Sequence, residues 1–351
     1  IGLGGSGSNA ITRMIREQIR GVEFIAMNTD SQALQTTEAP LRIPLGERLT
    51  RGLGAGGDHA VGRKAAEESR DEIKEVVAGA DMVFITAGMG GGTGTGSAPL
   101  LAEIAKQSGA LTIAVVTKPF SFEGTRRNKV AEEGISNLID KVDTMIIIPN
   151  DRVLDICDHK TSVDEAFLLA DEVLHQGVQA IAEVITVPGL INLDFADVKA
   201  IMQDAGPAWM SVGKGAGQNR AADAAKQALA SPLLDVSVAG AKGVLFNVAG
   251  GSSLTLFEVN AAADLIKQAV DPEANVIFGV VVDPNLGNDV RLTLVATGFA
   301  TKEGMAGIGG DKEVDRLQMG LKRDELDIPS FLRQRNTFPT HRPRLANPIH
   351  N

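Results

Sequence analysis

Gly88-Met89-Gly90-Gly91-Gly92-Thr93-Gly94-Thr95-Gly96-Ser97 decides the fold. It follows a short apolar run, Met82-Val83-Phe84-Ile85, and leads into Ala98-Pro99-Leu100-Leu101, which opens an apolar-periodic segment. The order is strand, glycine loop, helix start. Glycine lets successive backbone N–H groups turn toward one ligand at φ values other residues resist, and a helix N-terminus adds positive potential. Such a loop is built for phosphate. It lacks the lysine of the GxxxxGK[ST] pattern, so P-loop nucleotide hydrolases are a poor match.

Two further glycine clusters lie upstream. Gly2-Leu3-Gly4-Gly5-Ser6-Gly7 contains GxGxxG, and Asp30 follows at roughly the distance of a ribose-binding acid. Taken alone, that pair supports an NAD-dependent Rossmann oxidoreductase. A dinucleotide fold needs one glycine loop, however, and Gly52-Leu53-Gly54-Ala55-Gly56-Gly57 makes three before Ser97. Several loops converging on one ligand suit a triphosphate better.

Around these loops, Phe24-Ile25-Ala26-Met27, Leu111-Thr112-Ile113-Ala114-Val115-Val116 and Met145-Ile146-Ile147-Ile148 are continuously apolar, with helical segments between them. The pattern predicts an α/β fold with a parallel sheet covered on both faces. A long helix is expected from Val163 to about Ile185, spanning roughly 33 Å. Helix-like stretches at 198–204 and 221–230 precede three strand-like runs, 243–248, 276–282 and 291–296, of a smaller mixed sheet. Pro284 to Asn288 suggests a hairpin-type loop between the last two. Beyond Phe299 the pattern dissolves into a tail expected to be disordered.

At 351 residues, 44% hydrophobic and 22% charged, the composition is that of an ordinary globular protein. The net charge of −10 argues against a nucleic-acid binder working by phosphate neutralisation. Cys157, the one cysteine, excludes an internal disulfide and suits a reducing cytoplasm. No apolar run approaches the ~20 residues of a membrane span. The chain opens at Ile1-Gly2, so its first strand reads as clipped.

The signature loop Gly88–Gly96 resembles that of the tubulin/FtsZ superfamily. Asn28-Thr29-Asp30, Phe122-Glu123-Gly124, Ile148-Pro149-Asn150-Asp151 and Asn192-Leu193-Asp194-Phe195-Ala196-Asp197 are similar to further motifs of its bacterial branch, in the same order. The resemblance implies a GTPase that polymerises head to tail into the filament of the cell-division ring, in the cytoplasm at mid-cell. It divides the chain into a GTP-binding domain (1–162), a connecting core helix (163–187), a C-terminal domain with the catalytic loop (188–302), and a flexible linker with a partner-binding tail peptide (303–351).

By that resemblance Gly5, Ser6, Gly7, Ser8 and Asn9 hold phosphates together with Gly91, Gly92, Thr93, Gly94 and Thr95. Gly54, Ala55 and Gly56 approach the γ-phosphate. Asn28, Asp30 and Asn150 line the pocket. Glu123 takes the ribose hydroxyls, with Arg127 near the sugar and α-phosphate; from spacing alone these two could equally be a surface ion pair. Phe167 and Asp171, one helical turn apart, can stack on a purine and accept from guanine N1–H and N2–H₂, with Glu172 as the alternative acceptor. Spacing alone leaves a core Phe beside a solvated Asp equally open.

Asn192, Asp194 and Asp197 are implied to complete the site of the adjacent subunit, although Asn192 or Asp194 could merely cap a helix. An ordinary Asp, with pKa ~3.9, is poorly matched to deprotonating water beforehand, so positioning and polarising are expected instead. A carboxylate beside a triphosphate costs about 1 kcal/mol at 4 Å in water and about 4 at an effective dielectric of 20. Mg²⁺, held mostly by phosphate oxygens and water, is expected to offset this, with no protein ligand assigned. Leu326, Asp327, Ile328, Pro329, Phe331 and Leu332 resemble the family's terminal peptide, which binds membrane-tethering and regulatory division proteins. A non-hydrolysing, nucleotide-gated scaffold is the remaining alternative.

Overall fold

The structure, a computed structural model, describes residues 1–155, 161–186, 194–233 and 238–299. All belong to one unit, Ile1–Ile308. Cys157, Asn192 and the tail peptide fall outside the described residues.

Short apolar strands alternate with helices through the first half. β1 (Gly2–Leu3) turns directly into α1 (Gly4–Arg16). Then come β2 (Ile25–Asn28), α2 (Ser31–Thr36), β3 (Leu41–Pro44), α3 (Glu47–Thr50), α4 (His59–Glu68) and α5 (Arg70–Val77). β4 (Met82–Gly88), α6 (Thr93–Gln107), β5 (Leu111–Lys118), α7 (Thr125–Ile139), β6 (Thr144–Pro149) and α8 (Asn150–Leu154) complete this half. The long α9 (Val163–Thr186) and α10 (Phe195–Met202) lead to β7 (Gly206–Gly215) and α11 (Arg220–Leu229). β8 (Gly243–Gly250), α12 (Leu256–Ala269), β9 (Asn275–Val282) and β10 (Val290–Thr297) follow.

The strands join in the order β3-β2-β1-β4-β5-β6-β7-β10-β8-β9. From β3 to β7 every pairing is parallel. β10 is antiparallel to both β7 and β8, and β9 is parallel to β8. The parallel half, the long helix and the smaller mixed-sheet half are therefore all present, and β7 belongs to both halves.

The sequence pattern misses β7, because Gly206, Pro207, Gly213 and Gly215 read as breakers. Two of those glycines mark a close approach instead. A Cβ on Gly213 would overlap the Ala224 carbonyl, and one on Gly215 the Arg220 carbonyl, so α11 lies directly on the strand. The expected hairpin does not form, since β8 sits between β9 and β10. Their connection arches over the end of β8, where Asp283 N–H donates to the Gly250 carbonyl at 2.9 Å. Gly251 makes room for it: a Cβ there would overlap the Gly287 carbonyl. Buried strands that are apolar throughout carry no face pattern from which to read the partner.

The signature glycines also hold a surprise of register. α6 begins at Thr93, five residues ahead of Ala98, so Gly94 and Gly96 are helical. Glycine in a helix costs about 1 kcal/mol relative to Ala. Close packing offsets that here, because a Cβ on Gly96 would overlap the His59 carbonyl at the start of α4.

α9 ties the halves together. Its Val173, Leu174, Val178 and Ile181 share one apolar cluster with Ile113 and Ile146 of the parallel half and with Met210, Leu245 and Val295 of the mixed half. A second tie secures the loops of the mixed half. Buried Arg220 donates to Glu258 Oε1 (2.7 Å), to the Ser253 carbonyl (2.9 Å) and to the Asn288 carbonyl (2.8 Å).

Candidate nucleotide-binding site

In an open parallel sheet, a ligand crevice forms beyond the carboxyl ends of the strands where the strand order reverses. That point falls between β1 and β4. α1 packs on one face of the sheet and α6 on the other, so two glycine loops emerge there side by side. Gly4 bends the chain at φ 69° after β1, and Gly90 at φ 96° after β4. A Cβ on Gly4 would stand 3.1 Å from Gly94 N, and one on Gly88 2.5 Å from Ser6 Oγ.

The third loop closes on the same place. A Cβ on Gly92 would lie 2.8 Å from Ala55 Cβ, whereas one on Gly5, Gly56 or Gly91 would meet nothing within 4 Å. Neither α1 nor α6 has a side-chain cap at its start. Their first backbone N–H groups thus offer themselves to an anion.

Thr29 fastens two of the three loops to each other, a role its place between two expected residues does not reveal. Its hydroxyl is 2.6 Å from that of Thr93, and its carbonyl accepts from Gly54 N–H at 3.1 Å. Gly62 is equally illegible: a Cβ on this α4 residue would overlap the Gly92 carbonyl. The available signal is a glycine inside an otherwise strong helix-forming stretch, which calls for a packing reason.

Some expected residues shape loops in this structure. Asn28 Oδ1 accepts from Asp30 N–H (3.2 Å), and Thr95 Oγ1 accepts from Gly90 N–H (2.9 Å). Asp30 Oδ1 caps α2, accepting from Gln32 and Ala33 N–H. Glu123 pairs with Arg127 at 2.8 Å and accepts from Phe120 N–H at 2.8 Å. The surface-pair reading thus describes the ligand-free geometry, beside the signature loop: a Cβ on Gly90 would stand 2.9 Å from Arg127 Cγ.

Others are poised for a ligand. Ser8 Oγ, in the first turns of α1, and Asn150 Oδ1, at the start of α8, are buried without a hydrogen-bond partner among the described residues. Buried polar atoms are seldom left unpaired.

At the amino end of α9 an aromatic cluster stands half open. Phe167 meets Phe120 edge-on at 5.2 Å, and Phe120 stacks with Phe122 at 5.0 Å. Phe122 is 62% exposed and Phe167 40%. One turn along lie two neighbouring carboxylates. Glu172 is occupied, with Oε2 accepting from Arg13 Nε (2.7 Å) and Oε1 from Gln176 Nε2 (2.6 Å). Burial alone would raise its pKa; the Gln176 hydrogen bond and the Arg13 charge are among the contacts that hold it instead at about 2. Asp171 makes no hydrogen bond among the described residues, and burial raises it to about 6 against the opposing pull of Arg13. Of the two candidate acceptors, Asp171 is the open one.

A pH dependence follows. Only the carboxylate accepts two donors, so with Asp171 as the base acceptor guanine affinity would be complete above the folded pKa and would fall below it. GDP binding, measured by equilibrium titration, is expected to weaken about tenfold per unit below about pH 6. An affinity flat between about pH 5 and pH 8 would exclude Asp171 from the contact.

Asp194 and Asp197 lie elsewhere. Asp194 caps α10, accepting from Asp197 N–H at 2.9 Å, as the helix-cap reading allows. The intervening Phe195 lines a cavity with Ile1, Ile25, Met82 and Thr186, at the amino ends of β1, β2 and β4. α9 separates this end of the sheet from the glycine loops. The rise from Asp171 to Thr186 alone is about 22 Å. No group of three or more His, Cys, Asp or Glu that could hold a metal occurs among the described residues.

A reversal point ringed by glycine loops, with an aromatic and an open carboxylate beyond it, defines a nucleotide-binding protein of the doubly wound α/β class. Residues 1–158 match the family model described as Tubulin/FtsZ family, GTPase domain, and residues 206–300 that of FtsZ family, C-terminal domain. The chain belongs to the tubulin/FtsZ family of GTPases. It is similar to the FtsZ of M. jannaschii as solved in an empty dimer. The two share 49% identity over 85% of this chain and 86% of that one, with a TM-score of 0.82. A single-site mutant of the same M. jannaschii protein matches at 49% identity over 84% and 89%, also with a TM-score of 0.82. CetZ2 from Haloferax volcanii, solved as a GTPγS-bound protofilament, shares the fold at 19% identity over 92% and 98%, with a TM-score of 0.73. The Rossmann oxidoreductase is thereby set aside. Among the described residues no helix is long and apolar enough to cross a membrane.

Proposed function

We propose that the chain hydrolyses GTP at the junction between successive copies of itself, joined head to tail in a filament. The reading rests on the distance between the two half-sites. The glycine loops lie at one end of the parallel sheet and Asp194 and Asp197 at the other, with the rigid α9 between. A protomer that cannot bring its acids to its own nucleotide can bring them to a neighbour's. The related FtsZ solved as a dimer accords with this.

In such a junction Gly5 to Asn9 and Gly91 to Thr95 hold the phosphates, Gly54, Ala55 and Gly56 face the γ-phosphate, and Asn150 contacts the nucleotide. Glu123 and Arg127 turn to the ribose. Phe167 and Asp171 read guanine. Asn192, Asp194 and Asp197 of the next copy orient and polarise the attacking water. Transfer to water depends mainly on such positioning and on charge stabilisation. Mg²⁺ on the phosphates would supply charge neutralisation. The division into domains at 162, 187 and 302 follows the same assignment. The filament is proposed to form a cytoplasmic division ring at mid-cell, anchored to membrane-tethering proteins by the segment at 326–332.

The test is GTP turnover across a dilution series. Turnover per molecule is expected to climb steeply with concentration until assembly saturates, because a lone protomer holds half a site. A flat dependence overturns the proposal. Filaments without phosphate release would favour the scaffold.

A further inference from the structure

We infer that Arg13 is a positioning residue of the base subsite: by binding Glu172 it takes that side chain out of play and leaves the adjacent Asp171 facing the guanine edge. The inference rests on the guanine reading of Asp171 proposed above and adds what makes that reading selective.

The geometry is specific. Neighbouring residues on a helix point about 100° apart, so Asp171 and Glu172 cannot serve one ligand edge equally. Glu172 has an acceptor bond on each oxygen, from Arg13 at 2.7 Å and Gln176 at 2.6 Å, and His175 Nδ1 stands 3.8 Å away. Arg13 comes from α1, the helix whose first turns carry Gly5 to Asn9. One side chain of the phosphate-binding helix therefore settles which carboxylate of α9 stays open.

The reverse constraint matters as much. Glu172 holds the guanidinium, which would otherwise be free to pair with Asp171 and cover its acceptors. Charge is the second effect, for the fixed cation keeps Asp171 more ionised than its burial alone would allow. The other charged groups nearby are engaged or lie toward the mixed sheet. On α8, Asp151 bonds Ser121 and Arg152 pairs with Asp155. Lys214, Asp289 and Arg291 line one cavity with Glu172 and Gln176, on the side of α9 that meets the mixed sheet.

The experiment is titration of the full chain with GDP and ADP as a function of pH; GDP avoids turnover. In Arg13→Met the acid limb of GDP affinity should move up by about one unit, giving a several-fold loss near pH 6.5 and little near pH 8.5, and Arg13→Lys should restore it. Glu172→Gln keeps the cation but releases it. GDP affinity should then fall about tenfold near pH 8 and progressively less below about pH 6, as Asp171 becomes paired and its acid limb moves down. A purely structural Arg13 would lower stability without moving the acid limb. Profiles of Arg13→Met and Glu172→Gln that superimpose on the parent's overturn the inference. Asp171→Asn separates the two claims, for if it leaves the preference for GDP over ADP intact, the guanine reading itself fails whatever Arg13 does.

Discussion

Asp194→Asn should cut hydrolysis about 100- to 1,000-fold without loosening nucleotide. Asn caps a helix about as well as Asp, so the bond to Asp197 N–H that starts α10 survives and the fold is undisturbed. What disappears is the negative charge offered to the neighbour's water. Removing one preorganised polar group from a transition state costs about 10²–10³ in kcat. GDP affinity of the isolated protomer is expected to stay within about twofold, because Asp194 lies at the opposite end of the sheet from the loops. Assembly should persist, as one like charge fewer faces the triphosphate. Mixing the variant with Asp171→Ala, inactive through its pocket, should recover turnover at junctions that combine a sound pocket with sound acids. A parallel loss of GDP affinity in Asp194→Asn would place the residue in its own protomer's pocket and overturn the shared site.

Gly62→Ala should damage nucleotide binding although it favours the helix that bears it. Replacing a helical glycine by alanine gains about 1 kcal/mol of propensity. The new Cβ, however, would overlap the Gly92 carbonyl and stand 3.1 Å from Thr93 Cα, both backbone atoms with no rotamer to change. Overpacking of this kind costs about 1–3 kcal/mol, so sterics win. The start of α6 must retreat, and with it the amides that face phosphate. GDP affinity is expected to fall about 10- to 100-fold, with a lower thermal midpoint, on the scale by which a displacement of about 1 Å spoils a site. Unchanged GDP affinity would show that the signature loop does not depend on α4.

Much of this site is written locally in the chain. The parallel half, α9 and the glycine loops follow from apolar runs, helical spacing and glycine clusters, signals that survive without tertiary context. Phe167 and Asp171 are legible as a helical pair, yet the choice between Asp171 and Glu172 is not. It depends on Arg13, which reaches α9 from a helix distant in sequence. Thr29 and Gly62 are hidden for a similar reason, since their importance lies in what other segments press against them. β7 is obscured because glycines that admit α11 look, along the chain, like interruptions.

The distance α9 sets between the two half-sites also bears on counting. In the proposed head-to-tail arrangement, an open row of n subunits contains n − 1 completed junctions and one terminal nucleotide with no acids against it. The fraction of triphosphate that escapes cleavage in a row is therefore 1/n. Residual uncut nucleotide thus becomes a molecular ruler, reporting average row length from a chemical assay without an image of the polymer.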